Sequence, residues 1–259
     1  MRLRHIFLIS AWLLASTVFA QGHNDTITVM TFNLHAGHDA TLQQIGLFIK
    51  RYQPDFVALQ EVDQNTHRSN CLHQNDRDFI TELAYFSGMQ GIFGPTIKFS
   101  GGLYGIGLLT RHPFVDAHNI KLPNPVAGME QRGLLQGTFV LDDGDTIVFA
   151  CTHLEAFDSI SRVAQAQFIL DRFADSTYPV ILAGDFNASP DNPVIGLLTS
   201  QWLDCTAGDF TFSVSNPKEK IDYILARPAR AWRTIESQVI PVEMSDHFLV
   251  IATLVISHD

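Results

Sequence analysis

Six short stretches set a proton- or metal-handling side chain at the end of an apolar run. They are Asn33 in Thr-Phe-Asn-Leu, Glu61 in Leu-Gln-Glu-Val-Asp, His153 in Cys-Thr-His-Leu, Asp185 and Asn187 in Gly-Asp-Phe-Asn, Asp222 in Lys-Ile-Asp-Tyr-Ile, and Asp246 with His247 in Ser-Asp-His. A strand end is where a rigid scaffold can present such a group without burying an unpaired charge. A single carboxylate after a strand is ordinarily a turn former, so the signal lies in the set. Glu61 and Asp246 offer hard oxygens suited to Mg²⁺, which takes one or two carboxylates and keeps several waters. Asp185 and Asn187 stand two apart, so an extended segment projects both from one side. The carboxylate can then take a proton from water while the amide holds the oxygen. His247 beside an acid can stay protonated and face negative charge on a phosphoryl oxygen, with Asp222 fixing its ring. This is equipment for metal-assisted phosphoester hydrolysis.

Other residues have two readings. His35 and His38, in His-Ala-Gly-His-Asp, could line the cleft or be solvated loop histidines. Tyr104, in Gly-Gly-Leu-Tyr-Gly, could reach the phosphate or pack at the rim. Arg111 and Arg132 could clamp phosphate, yet each adjoins strand-like sequence where an arginine commonly pairs with a carboxylate. The 19 Phe read as core, since no basic residues interleave with them as on a base-stacking platform.

The elements that must position these residues follow from apolar period and punctuation. Ile27–Leu34 reads as a strand apolar on both faces. Thr41 can cap a helix in which Leu42, Ile45, Ile49 and Tyr52 recur at helical spacing; Pro54 stops it before the strand Phe56–Gln60. A polar loop, Asp63 to Asn75, precedes a helix predicted to start at Asp76, to bury Phe79, Ile80, Leu83 and Phe86, and to close at Gly88. Residues 91 to 153 read as strands, with Asp142-Asp143-Gly144-Asp145 turning between Leu134–Leu141 and Thr146–Cys151. A long helix marked by Val163, Ala166, Leu170 and Phe173 precedes the strand Pro179–Ala183, and the strands Ile221–Leu225 and Phe248–Ile256 follow. No Ser/Gly/Pro linker divides the chain, so residues 21–259 are expected to be one domain.

Composition narrows the class further. Of 259 residues, 46% are apolar and 17% charged, which excludes intrinsic disorder. At a net charge of −10 the chain offers no electrostatic footprint for non-specific DNA or anionic-membrane binding, with a local basic cleft left open. Arg2 and Arg4 precede an apolar run, Ile6 to Leu14, and Val18 and Ala20 sit where a cut before Gln21 requires small residues. Residues 1–20 are therefore expected to be a signal peptide, and the protein to be exported to a periplasmic or extracellular space; the rival reading is an uncleaved N-terminal anchor. No later stretch approaches a membrane span. Cys151 lies in a strand-like run and reads as a buried thiol, whereas Cys71 and Cys205 fall in polar surroundings where pairing is open.

In wording and order the six stretches resemble the endonuclease/exonuclease/phosphatase superfamily, which includes DNase I, AP endonucleases, bacterial sphingomyelinases and inositol phosphatases. The resemblance spans Asn33 to His247; Gly-Asp-Phe-Asn, Ile-Asp-Tyr-Ile and Ser-Asp-His together are specific to it. It implies an α/β fold, a four-layer sandwich of two packed mixed sheets flanked by helices, with the site at one end. It implies Glu61 as principal Mg²⁺ (or Mn²⁺) ligand with Asn33 and Asp246 beside it. Asp185 and Asn187 would act on the attacking water, Asp222 would buttress His247, and His153 would contact the phosphate. Thr-His-Leu is similar to the nuclease and sphingomyelinase branches, while Gly-Asp-Phe-Asn and Ile-Asp-Tyr-Ile depart from inositol 5-phosphatases. The expectation is a monomeric Mg²⁺-dependent phosphodiesterase whose substrate is a nucleic acid, a phospholipid head group or a small diester. Its rivals are a phosphomonoesterase and an inactive binding module on the same fold.

Overall fold

The apolar runs pair into two sheets. The structure, a computed structural model, describes residues 26–257, so the predicted leader lies outside the described residues. In chain order the elements are β1 (Thr26–Asn33), α1 (Leu42–Tyr52), β2 (Phe56–Gln64), α2 (Phe79–Ser87), β3 (Gln90–Phe99), β4 (Gly102–Thr110), β5 (Phe114–Lys121), β6 (Gly133–Val140) and β7 (Thr146–His153). There follow α3 (Ser159–Phe173), β8 (Val180–Asp185), α4 (Pro193–Thr199), β9 (Leu203–Asp204), β10 (Asp222–Arg227), β11 (Trp232–Ile240) and β12 (Leu249–Ile256). One sheet has the order β11-β12-β1-β2-β4-β3 and the other β5-β6-β7-β8-β10-β9. Among the described strands, only β1 with β2 and β7 with β8 run parallel, joined by α1 and α3 as parallel pairs require.

Alternate residues of the central strands fill the space between the sheets, Val29, Phe56, Ile106, Phe149, Ile181, Ile224 and Val250 among them. The opposite faces bury Met30, Val57 and Leu109 under α1 and α2, and Val148, Leu182 and Leu225 under α3 and α4. The result is helix, sheet, sheet, helix. Both faces of β1, β2, β7 and β8 are covered, which is why burial runs almost without alternation along them.

Several boundaries differ from the sequence reading. The second helix starts at Phe79, because the Asp78 carboxylate caps it by accepting from Thr81 N, while Asp76 sits at φ +60° in the preceding turn. Val163 is 42% exposed, because Arg162 and Gln165 point inward and turn the buried face of α3 onto Ala166, Ile169, Leu170 and Phe173. The short α4, with an Asn192 cap and Pro193 in its first turn, and the edge strands β9 and β11 were not anticipated. Cys71, Cys151 and Cys205 are all buried free thiols. Cys71 points its sulfur at the carbonyls of Ala36 and Gly37, whereas Cys205 packs between the sheets. No helix among the described residues is long and apolar enough to cross a membrane.

Arg111 is not a phosphate clamp. It sits at the end of the sheet where β2 starts and β4 finishes, and its Nη2 donates to Asp55 Oδ1 at 2.6 Å. Asp55 also accepts from Thr28 N at 2.7 Å and meets His112 Nε2 at 3.1 Å. Burial would raise this carboxyl, but the bonds from His112, Thr28 and Arg111 outweigh it and hold it below its ordinary 3.8. A depressed native value stabilises the fold above the unfolded value and loses that contribution as pH falls through the native one. We expect Asp55→Asn to cost about 2 kcal/mol at neutral pH, the scale of hydrogen bonds to a charged group. In urea unfolding the difference from wild type should vanish under strongly acidic conditions; a difference independent of pH would exclude this account.

Candidate active site

Register lines up the first three residues. His153 ends β7 directly beside Asp185, the last residue of the parallel strand β8, and Asp222, the first residue of β10, faces Asp185 from the other side. Neighbours in register project from the same face, so the three side chains stand in a row. Gly184 permits the approach: a Cβ there would lie 2.0 Å from the Thr152 carbonyl oxygen. On the facing sheet, Asn33 ends β1, and Glu61 occupies the bulge of β2 between Gln60 and Val62 at φ +57°. Such a backbone costs on the order of 1–3 kcal/mol and re-aims a side chain out of the ladder.

Asn33 ties the two sheets together, its Nδ2 donating to Glu61 Oε1 at 3.2 Å and to Asp185 Oδ2 at 3.1 Å. His247, just ahead of β12, places Nδ1 2.9 Å from Asp222 Oδ2 and Nε2 3.7 Å from Asp185 Oδ2. Burial would strip its proton, but the charge and hydrogen bond of Asp222, aided by Asp185 and Asp246, raise it to about 10. The carboxylates around it thus favour the protonated ring near neutrality. Asp185 is pushed up to about 7 by burial and by Asp222, with His247 pulling the other way. His153 is held well below 6.5 by burial, Arg132 and His247. Its Nδ1 lies 3.2 Å from Arg132 Nη1, which leaves Nε2–H as the donor, 3.5 Å from Asp185 Oδ2.

Asn187 does not follow Asp185 in an extended segment. It adopts φ +48°, its N–H turns back to Asp185 Oδ1 at 2.8 Å, and its Nδ2 donates to Leu154 O at 3.0 Å. Its amide oxygen is thereby left for the cavity, an opening of about 490 Å³ bordered by Glu61, Tyr104, Arg132, His153, Asp185, Asn187, Asp246 and His247 among others. Burial and the Glu61 charge push the Tyr104 hydroxyl well above 10, so it remains a donor. His35 lies outside this lining: it pairs with Asp39 at 2.7 Å, stands 3.8 Å from Asp246 and stacks on His38. Sequence reasoning missed the supports. Ser245 Oγ donates to Asn33 O at 2.7 Å, Thr211 Oγ1 accepts from Ile221 N and Asp222 N, and the Phe212 ring packs 4.7 Å from that of His247. Ser245 had a signal, being part of Ser-Asp-His; Thr211 and Phe212 lie in an aperiodic loop and had none.

The sequence profile of the endonuclease/exonuclease/phosphatase family matches residues 30–247, from β1 to the histidine of this site. The chain belongs to that family. Members of the endonuclease/exonuclease/phosphatase family are hydrolases that act on phosphoesters or nucleic acids. Human nocturnin is 27% identical over 187 residues, covering 66% of this chain; the chain spans only 41% of that curated relative's length. Two solved structures share the fold. A family member from Beutenbergia cavernae has a TM-score of 0.77 at 24% identity, covering 90% of this chain and 72% of that one. The Bacteroides thetaiotaomicron mannosyl-6-phosphatase Bt3783 has a TM-score of 0.70 at 18% identity, covering 88% and 99%.

Enzymes of this family generally use divalent metals, and the oxygens at one side of the cavity fit a hard cation. Glu61 accepts one amide hydrogen from Asn33 and makes no ion pair among the described residues. Asp246 has His35 as its ionic neighbour at 3.8 Å and Ser245 Oγ 3.3 Å from its Oδ1. Both carboxylates border the cavity and offer hard oxygens of the kind Mg²⁺ or Mn²⁺ takes, while Asn33 Oδ1 already accepts from His35 N at 3.0 Å and keeps one lone pair. Ligand atoms of Asp185, Asp222 and His247 also lie within 4.8 Å of one another and could hold a cation.

Proposed function

We propose that the protein is an exported, divalent-metal-dependent phosphodiesterase that activates water with Asp185. The observation that carries this reading is the juxtaposition of a buried carboxylate with an imidazolium against the same cavity. Asp185 takes the proton of a water held by the Asn187 amide oxygen. His247, its ring fixed by Asp222, faces the charge that develops on phosphoryl or leaving oxygen, and the Nε2–H of His153 donates to a phosphoryl oxygen. Bound at Glu61 and Asp246, Mg²⁺ would supply Lewis-acid polarisation of the phosphoryl group.

Charge favours a diester over a monoester. Glu61, Asp185, Glu219 and Asp246 border the cavity against Arg132, Arg162 and His247, and Glu130 and Glu155 beside Arg132 and Asp222 beside His247 add further negative charge, so a divalent cation offsets only part of it. That suits a monoanionic diester better than a dianionic monoester. The acidic chain and the cavity volume favour a small diester over duplex nucleic acid. Export is supported by the leader pattern of residues 1–20. The purified protein should hydrolyse generic diesters with Mg²⁺ or Mn²⁺, more slowly the matching monoesters, and neither in EDTA. If nothing is turned over across plasmid DNA, RNA, sphingomyelin, phosphatidylinositol and aryl esters, the inactive binding module takes its place. Glu61→Gln tests the metal side: activity should fall at low Mg²⁺ and recover in part at high Mg²⁺ or Mn²⁺, because weakened affinity is offset by concentration. A loss identical at every metal concentration would remove Glu61 from the ligand set.

A further inference from the structure

Phe157 is the most solvent-exposed large apolar residue among those described, 91% accessible, yet it borders the catalytic cavity. It makes no ring contact among the described residues. The backbone that carries it is nonetheless strapped down. Phe157 N donates to the buried Glu155 side chain at 3.0 Å, and Glu155 N donates to Gln165 Oε1 at 2.9 Å. Arg162 donates to the carbonyls of both Glu155 and Ala156, and Asp158 caps α3. A ring carried at a cavity rim on a backbone already held in place forfeits little further freedom when a ligand packs on it. Ile160 and Val163, also exposed, point outward from α3 and do not border the cavity. The occupant is therefore a small molecule entering the site and not a partner covering the helix.

We infer that Phe157 is a stacking platform that selects phosphoesters carrying a flat, unsaturated ring on the side away from the reacting phosphorus. This rests on the phosphodiesterase reading above for its orientation: phosphate against His153 and His247, ring at the rim. An aromatic face attracts another π-system beyond what its burial alone provides, so a flat ring gains where a short alkyl chain does not.

The test compares benzyl, cyclohexylmethyl and ethyl phosphates, each as monoester and as methyl diester, in wild type, Phe157→Ala and Phe157→Trp. Because each ester is compared with itself across variants, intrinsic leaving-group reactivity cancels. Phe157→Ala should raise KM for the benzyl ester about 10-fold, the scale of one lost aromatic stack, with kcat nearly unchanged. The other two esters should change less than about 2-fold, and Phe157→Trp should restore the benzyl preference. A second arm needs no turnover. With Mg²⁺ present, the indole emission that Phe157→Trp adds over wild type should respond to benzylphosphonate at lower concentration than to ethylphosphonate. Equal losses for benzyl and cyclohexylmethyl esters would make the residue an apolar cover and overturn the proposal. So would equal losses for benzyl and ethyl, or none. If wild type turns over none of the esters, the hydrolytic reading falls and the fluorescence arm alone decides the platform.

Discussion

Asp185→Asn should lower turnover at least about 10²-fold, at every Mg²⁺ or Mn²⁺ concentration, while leaving the fold intact. The substitution keeps the side chain's size and shape and one of the two oxygens that accept from Asn33 Nδ2 and Asn187 N, but removes the group positioned to accept a proton from water next to His247. Its effect on stability has the opposite sign from that of most buried charges. Burial and Asp222 push the Asp185 carboxyl up to about 7 from an ordinary 3.8, so the native chain holds a proton that the unfolded chain has released. That contribution is complete below the unfolded value and is lost as pH rises through about 7. Above it the carboxylate is a burden, and the uncharged variant should melt no earlier than wild type in EDTA at mildly alkaline pH. Steady-state kinetics across metal concentrations, with thermal unfolding alongside, separate the outcomes. Near wild-type turnover at saturating metal would dismiss Asp185 as the base, and early melting would make its loss merely structural.

His247→Gln should lose a similar share of turnover but also lose stability. It withdraws the cation that stands between two buried carboxylates, and breaking a buried pair costs about 3 kcal/mol. Because Asp222, with Asp185 and Asp246, holds the native imidazole at about 10 against the pull of burial, its contribution is full up to about 6.5. It is lost as pH rises through about 10. Wild type should therefore exceed the variant in urea resistance at pH about 6.5, and the gap should close in strongly alkaline solution. Adding Asp222→Asn to His247→Gln should recover most of the stability and none of the activity. If the double variant is no steadier than the single, the Asp222–His247 pair is not what the histidine contributes to folding.

The central architecture was legible because its physics is local. Thr41 with Gln44 forms a capping box, Pro54 ends α1, and apolar runs stop where polar ligands begin. β11 escaped notice because one face is solvated and its alternation is weak, and α4 because seven residues hold too few turns to show a period. The face of α3 was misjudged because Arg162, which sequence alone would send to solvent, turns inward to bind two carbonyls. At the site, the chemistry-bearing residues stood out by type, but their geometry did not. Nothing at positions 185–187 announces that Asn187 is left-handed, and Arg111 differs from Arg132 only by which end of a strand each occupies. The hydroxyls of Thr211 and Ser245 act through backbone groups brought to them by the fold, a role no residue type advertises.

The seam that Asn33 makes between the sheets has a temporal side. Its bond to Asp185 joins residues 152 apart in the chain, and the Ser245 bond to its own carbonyl joins residues 212 apart. Contacts of that span are closed late, after local helices and hairpins have formed, because the loop entropy they forfeit is repaid only when both ends are in place. β12 must also slot between β11 and β1 before His247 can reach Asp222. A ribosome-bound chain that has emerged only as far as β11 already holds every strand of the second sheet but lacks His247, and it should be inert. Under the proposed function, hydrolytic competence should arrive with insertion of a single strand, and the appearance of activity should mark the final step of assembly and not its average progress.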